Sequence, residues 1–293
     1  MEIKAGTIWA NGLEFGLLEA GGGPLALCLH GFPDTARTWR YLLPELAAAG
    51  FRAVAPFMRG YAPTAVPDDG RYSVGALAGD AGALHEVLGG DGHAVLIGHD
   101  WGAEAAYTAA AAAPGRWRRL VTLAVPPAAL DPVLFSDYEQ LKRFFYIFLF
   151  RDTPGLAEKI VAADGMAFIR RLRQDWSPGF DAADYLEHVR ESLADPASLS
   201  AAISYYRAPQ ALDSPGSAGQ YETATPPAAR CAPQPTLYLH GAADGCISVD
   251  LVRNAGRHLA PDSKMKVIQG AGHFLQVEQP EEVNQHILAW VTS

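Results

Sequence analysis

Cysteine is scarce in this chain: Cys28, Cys231 and Cys246 are the only three in 293 residues, and none forms a CxxC pair. That pattern excludes a disulfide framework or a zinc site and fits a reducing, cytoplasmic setting. Positive charge is also short. Lys and Arg total 23 against 32 Asp and Glu, a net charge of −9 with no basic cluster to offset it. Nucleic acid and membrane surfaces are therefore excluded as partners. Long hydrophobic runs are missing too: the longest strongly apolar stretch, FFYIFLF from Phe144 to Phe150, is far shorter than a bilayer span. The first residues, MEIKAGTIWANG, lack the apolar core of a signal peptide. HExxH, GxGxxG and Walker-type loops do not occur, so no metal or organic cofactor is implied.

What is present is an α/β pattern. TIWANGLEFGLLEA reads as two strands joined through Asn11-Gly12, a hairpin signal. PLALCLH, FRAVAPF, HAVLIG and RLVTLAV read as buried strands, separated by helical stretches such as RTWRYLLPELAAAGF and WGAEAAYTAAAAAP. Such alternation predicts a doubly wound, mostly parallel sheet. It stops near Pro126, where helical segments begin: DYEQLKRFFYIFLF, GLAEKIVAADGMAFIRRL, ADYLEHVRESLA and LSAAISYYRA. After a Pro/Gly/Ser-rich stretch it resumes with TLYLHGAADG, a helix over Val249 to Leu259, the strand MKVIQG and a closing helix from Glu281. The expected organisation is an α/β core over 1–127 and 230–293, interrupted by a helical cap over 128–229. In such folds ligands lie at the carboxyl ends of the strands.

The strand HAVLIG ends in GHDWG, residues 98 to 102, before a long helix. This reads as the sharp strand–turn–helix that presents a nucleophile, with Asp100 where serine is common. The competing reading is an ordinary turn, and GxxxG spacing alone is cheap, since GLEFG, GALAG and GAADG share it. A helix N-terminus beside Asp100 favours its ionised form. A carboxylate needs no base to attack a saturated carbon, and its alkyl ester can then be hydrolysed. His273, in GAGHF after the last strand, is the expected water-activating base, and Asp244, after TLYLH, its partner. The order nucleophile, acid, histidine is that of hydrolases of this architecture. HGFP, residues 30 to 33, supplies the Phe32 N–H, which with that of Trp101 would form an oxyanion hole.

Together, HGFPDTARTWR, RGY, GHDWG and the Asp244 and His273 loops resemble the α/β-hydrolase superfamily, and within it the epoxide hydrolases with an aspartate nucleophile. The resemblance implies a small apolar epoxide and water as substrates, a diol as product and a cis Phe32–Pro33 bond. It also implies two epoxide-activating tyrosines in the cap: RFFYIFLFRDTPGLAE matches the first motif and places one at Tyr146, and SYYRA places the other at Tyr206. A phenol can donate to an opening epoxide while staying protonated at neutral pH. PFMRGYA departs from the family's PDxRGYG at Phe57 and Ala62, and Asp213 to Pro227 has no counterpart. His99, Asp80 and Glu278 read as structural. Haloalkane dehalogenases share the fold, the aspartate and Trp101, but Phe32 offers no side-chain donor to a halide. A non-catalytic binding protein on this fold is the remaining alternative, and a homodimer is left open.

Overall fold

The computed structural model describes residues 2–208 and 232–293. Cys231 and the Asp213–Pro227 stretch lie outside the described residues. The first two strands, β1 (Lys4–Ala10) and β2 (Leu13–Gly21), form the expected hairpin, with Ala10 paired to Leu13. Asn11 at φ 46° and Gly12 at φ 74° both turn left-handed, which is why Asn-Gly suits a two-residue loop whose twist matches the strands. There follow β3 (Leu25–Leu29), β4 (Arg52–Pro56), β5 (Val95–His99), β6 (Arg119–Leu123), β7 (Thr236–Gly241) and β8 (Lys264–Ile268). The strands lie in the order β1-β2-β4-β3-β5-β6-β7-β8. Only β1–β2 and β2–β4 are antiparallel; the rest pair in parallel. All five residues of β3 and of β5 are buried, as parallel strands covered on both faces require.

Helices α1 (Leu42–Ala48), α2 (Val74–Val87) and α3 (Trp101–Ala112) connect the first strands. The stretch expected as one helix from Arg37 to Ala49 is a 3₁₀ turn at Ala36–Trp39 followed by α1. Pro44 explains the division: its ring would clash with the carbonyl of Arg40 in a continuous helix. Between β6 and β7 the described chain is helical: α4 (Asp131–Leu134), α5 (Tyr138–Arg143), α6 (Phe145–Asp152), α7 (Leu156–Trp176), α8 (Ala183–Leu193) and α9 (Pro196–Ser204). Two breaks here were not expected. Phe144, at ψ 10°, separates α5 from α6, and Asp164, Gly165 and Met166 divide α7 with φ of 50°, 61° and 62°. The chain closes with α10 (Val249–Val252), a 3₁₀ turn at Ala255–His258, α11 (Leu275–Glu278) and α12 (Pro280–Val291). The helix expected over Val249–Leu259 is thus interrupted around Asn254 and Gly256, both weak helix formers. Within the core α1 packs with α12 and α2 with α3.

One buried ion pair ties the hairpin to this framework. Arg59 donates to both carboxylate oxygens of Asp80 at 2.6 Å, and Asn11 Nδ2 donates to Asp80 Oδ1 at 2.7 Å. Asp80 is thus a structural hydrogen-bonder, as expected. Both side chains are nearly sealed from water, so removing one partner leaves an uncompensated buried charge. Asp80→Ala is expected to destabilise the protein by about 3–5 kcal/mol, and Arg59→Met added to it to recover part of that loss. Urea denaturation checks this; a loss below about 1 kcal/mol in the single variant refutes it.

Candidate active site

Four strand ends converge on one point: β3 leads to His30–Phe32, β5 to Asp100, β7 to Asp244 and β8 to His273. Asp100 stands between β5 and α3 with φ 54° and ψ −121°, a conformation costly for any residue with a Cβ. Close backbone approach holds it there. A Cβ on Gly98 would run into the Gly102 carbonyl, and one on Gly102 into the Leu29 carbonyl. A Cβ on Gly31 would collide with the Asp100 carboxylate itself. The Phe32 N–H therefore reaches Asp100 Oδ1 at 2.7 Å. The Phe32–Pro33 bond is cis, as the resemblance implies, and so is Ala62–Pro63. Trp101 opens α3, so its N–H is one of the helix's donors without an intrahelical acceptor.

The other carboxylate oxygen faces His273. Asp100 Oδ2 lies 3.6 Å from His273 Nε2, while Nδ1–H donates to Asp244 Oδ2 at 2.9 Å. Asp244 is fully enclosed; its Oδ1 accepts from the Cys246 and Ile247 N–H groups at 2.7 and 2.9 Å. Burial pushes the Asp244 carboxyl up, but the charge and hydrogen bond of His273 outweigh it and hold the group below the ordinary range. Burial likewise opposes a charge on His273; Asp244 and Asp100 together prevail and raise it to about 10. His99 does not compete. Desolvation holds it neutral, at about 3, and its Nε2–H donates to the His273 carbonyl at 2.9 Å.

Two phenols complete the site. Tyr146 on α6 and Tyr206 just beyond α9 are buried, with ring centroids 5.5 Å apart. Tyr206 packs edge-on against Phe32 and Trp101. Among the described residues its hydroxyl makes no hydrogen bond of normal geometry, although the Trp101 indole acts on it as a donor. The Tyr146 hydroxyl lies 3.6 Å from Cys246 Sγ. Burial, reinforced by the Asp100 charge, pushes both phenols well above their ordinary range, so both remain protonated. Tyr205 points elsewhere and donates to the Arg59 carbonyl at 2.9 Å.

Sequence reasoning missed the groups behind these. The Trp176 carbonyl, at the end of α7, accepts from both the Gly245 and His273 N–H groups at 3.0 Å, and its ring packs on His273. Arg173, also on α7, is buried and donates to the Pro33 carbonyl at 2.7 Å. Gln140 and Arg143 on α5 bind the loop that carries Asp244. No local pattern marks such residues, because each acts across more than 60 positions of chain. Glu278 is a structural residue, as expected: it accepts from the Gly272 and Phe274 N–H groups on either side of His273.

Residues 24–280 match the family described as the alpha/beta hydrolase fold, and the chain belongs to that family. Epoxide hydrolase A of Mycobacterium tuberculosis is 29% identical over 96% of this chain and 95% of its own. Epoxide hydrolase 3 of Xenopus tropicalis is 30% identical over 94% of this chain and 74% of its own. Among solved structures, one described as a novel epoxide hydrolase from metagenomes of hot environments superposes with a TM-score of 0.82 at 25% identity, covering 99% of both chains. These likenesses put the chain, a hydrolase enzyme, in the epoxide hydrolase branch of the family.

The charge balance around His273 is testable. Asp100→Asn removes one of the two carboxylates that raise this imidazole, so its pKa falls below about 10. Because the native value exceeds the ordinary 6.5, His273 contributes stability that is complete below pH 6.5 and lost as pH rises towards about 10. In Asp100→Asn that loss is completed at lower pH. Imidazole NMR titration of both proteins is the measurement; an unchanged His273 midpoint refutes the coupling.

Proposed function

We propose that the enzyme opens an epoxide to a vicinal diol through a covalent ester on Asp100. Asp100 Oδ2, the oxygen not held by Phe32, attacks a ring carbon; the carbon–oxygen bond breaks and the departing oxygen takes a proton from Tyr146 or Tyr206. The proton on His273 then passes to the phenolate, which restores the phenol and leaves the imidazole neutral. His273, oriented by Asp244, then deprotonates a water that attacks the ester carbon, Asp100 Cγ. The oxyanion forms on Oδ1, beside the Phe32 and Trp101 N–H groups. As it collapses the bond from Cγ to the alkyl oxygen breaks, that oxygen takes the proton from His273 to give the diol, and the Asp100 carboxyl ionises by returning a proton to His273. The observation that carries this reading is the pair of protonated phenols packed together and within electrostatic reach of a carboxylate whose Oδ1 already accepts the Phe32 N–H.

Loss of the Asp100 charge on esterification also prepares the second step. The ester is neutral, so one source of His273's raised pKa disappears just when a base is required. We further take the helices between β6 and β7 as a cap that supplies both phenols, with the core running over 1–127 and 230–293. The cap's second boundary lies outside the described residues. The substrate is a small apolar epoxide, because aromatic rings surround the nucleophile. Cys28 and Cys246 are buried free thiols, which supports a reducing cytoplasm.

Four variants and one isotope test this reading. In heavy-oxygen water, a single turnover should label the enzyme and leave the diol unlabelled; label in the diol means direct attack by water. His273→Gln should alkylate and then stall with added mass on Asp100. Tyr146→Phe or Tyr206→Phe should slow alkylation roughly 10- to 1000-fold, and the double variant should be near inactive. Full epoxide turnover by the double variant sinks the role of the phenols.

A further inference from the structure

The loop Asp244–Ser248 carries Asp244, and four of its backbone groups are bonded by helices between β6 and β7. Gln140 Nε2 donates to the Cys246 carbonyl at 2.6 Å, and Gln140 Oε1 accepts from the Ser248 N–H at 2.9 Å. One amide thus reads a carbonyl and an N–H two residues apart, as a neighbouring strand would. Arg143 Nη1 donates to the Asp244 carbonyl at 2.9 Å, and the Gly245 N–H donates to Trp176 at 3.0 Å. From the core, the Gly241 carbonyl accepts from the Asp244 N–H at 3.3 Å, His240 Nε2–H donates to the Ile247 carbonyl at 3.0 Å and the Leu251 N–H donates to the Ser248 carbonyl at 3.1 Å.

Gln140 is built for this role. It is buried, and its own N–H is held by the Asp137 side chain at 2.8 Å, which caps the first turn of α5. The Ile247 N–H that aims Asp244 Oδ1 belongs to the same peptide as the Cys246 carbonyl that Gln140 holds, and the Cys246 N–H, the other donor to Oδ1, belongs to the peptide just before it. A tilt of these peptides turns the carboxylate, and with it His273 Nδ1. Six residues on, Tyr146 places its hydroxyl against Cys246 Sγ. The segment that clamps the acid loop therefore also carries a phenol.

We propose that Gln140 is a positioning residue for the hydrolytic half-reaction, fixing the Asp244 loop from the cap and thereby the orientation of His273. This rests on the roles given to Asp100, Asp244 and His273 above. Arg143 supports the same loop by a single bond. Gln140 has no bond to Asp100 or Phe32 among the described residues, and Tyr146 keeps its ring packing on Phe150, Trp176 and Tyr206 whatever Gln140 does, so alkylation depends on it far less than hydrolysis.

Gln140→Met keeps the volume and removes both hydrogen bonds. Rapid-quench single turnovers with intact-protein mass spectrometry should find alkylation within about 3-fold of wild type. Hydrolysis should slow roughly 10- to 100-fold, inside the range of general-base catalysis, with ester accumulating on Asp100. In an Asp244→Asn background Gln140→Met should add almost nothing, since it acts through that carboxylate. Slowing of both steps alike, or additive slowing in the double variant, overturns the inference. Should Gln140→Met be insoluble, Gln140→Glu keeps the acceptor for Ser248 and loses only the donor to Cys246. It should then show the same selective slowing, and wild-type hydrolysis there overturns the inference as well. Ester in His273→Gln but none in Gln140→Met overturns it alone. No ester in His273→Gln overturns the covalent reading and this inference with it.

Discussion

Everything at the site depends on one backbone geometry, the φ 54° and ψ −121° of Asp100. A residue with a Cβ held there costs of order 1–3 kcal/mol and persists only where its surroundings leave no alternative. Those surroundings are the parallel strands. β5 pairs with β3 on one side and β6 on the other, and Asp100 N–H still donates to Leu123 at 3.3 Å. α3 must start at once to pack on β5, and it can do so only because Gly98 and Gly102 allow backbone to meet backbone. The strain lifts the carboxylate out of the sheet's edge into the space between the Phe32 N–H and His273.

From that placement the electrostatics follow. A fully buried imidazole ordinarily loses its charge, as His30 and His99 illustrate at about 4 and about 3. His273 is as deeply buried and goes the other way because carboxylates flank both its nitrogens. Its charge is a property of the two carboxylates together, so neutralising either one lowers the pKa of the imidazole. The same enclosure acts oppositely on the phenols: burial and a nearby carboxylate both favour O–H over O⁻.

This logic explains which parts could be read from sequence. Asp100 directly follows β5, and Asp244 and His273 stand in the loops three and five residues beyond β7 and β8, so the strand patterns announce their position at the carboxyl edge of the sheet. The Asn11-Gly12 turn was legible for the same local reason. Helix boundaries in the insert were less so: apolar periodicity runs through Phe144 and through Asp164–Met166, and only tertiary contact decides that the chain bends there. Tyr146 and Tyr206 came from resemblance, since aromatic residues in apolar helices look alike whether they pack or react. Gln140, Arg173 and Trp176 carried no signal, because their significance lies in backbone atoms of distant loops.

Those three residues change how the insert is to be understood. Arg173 is a buried guanidinium that bonds the Pro33 carbonyl, lies 3.9 Å from Asp34 and covers the Phe274 ring at 3.7 Å. Trp176 bonds the acid and base loops together, and Gln140 holds the acid loop from the other side. At about 0.5–1.5 kcal/mol net for each hydrogen bond, lifting these elements together would cost several kcal/mol before any apolar surface is exposed. It would also release the loops that carry Phe32, Asp244 and His273. Helices held in this way are no detachable lid, because α5 and α7 supply bonds that fix the loops carrying Phe32, Asp244 and His273.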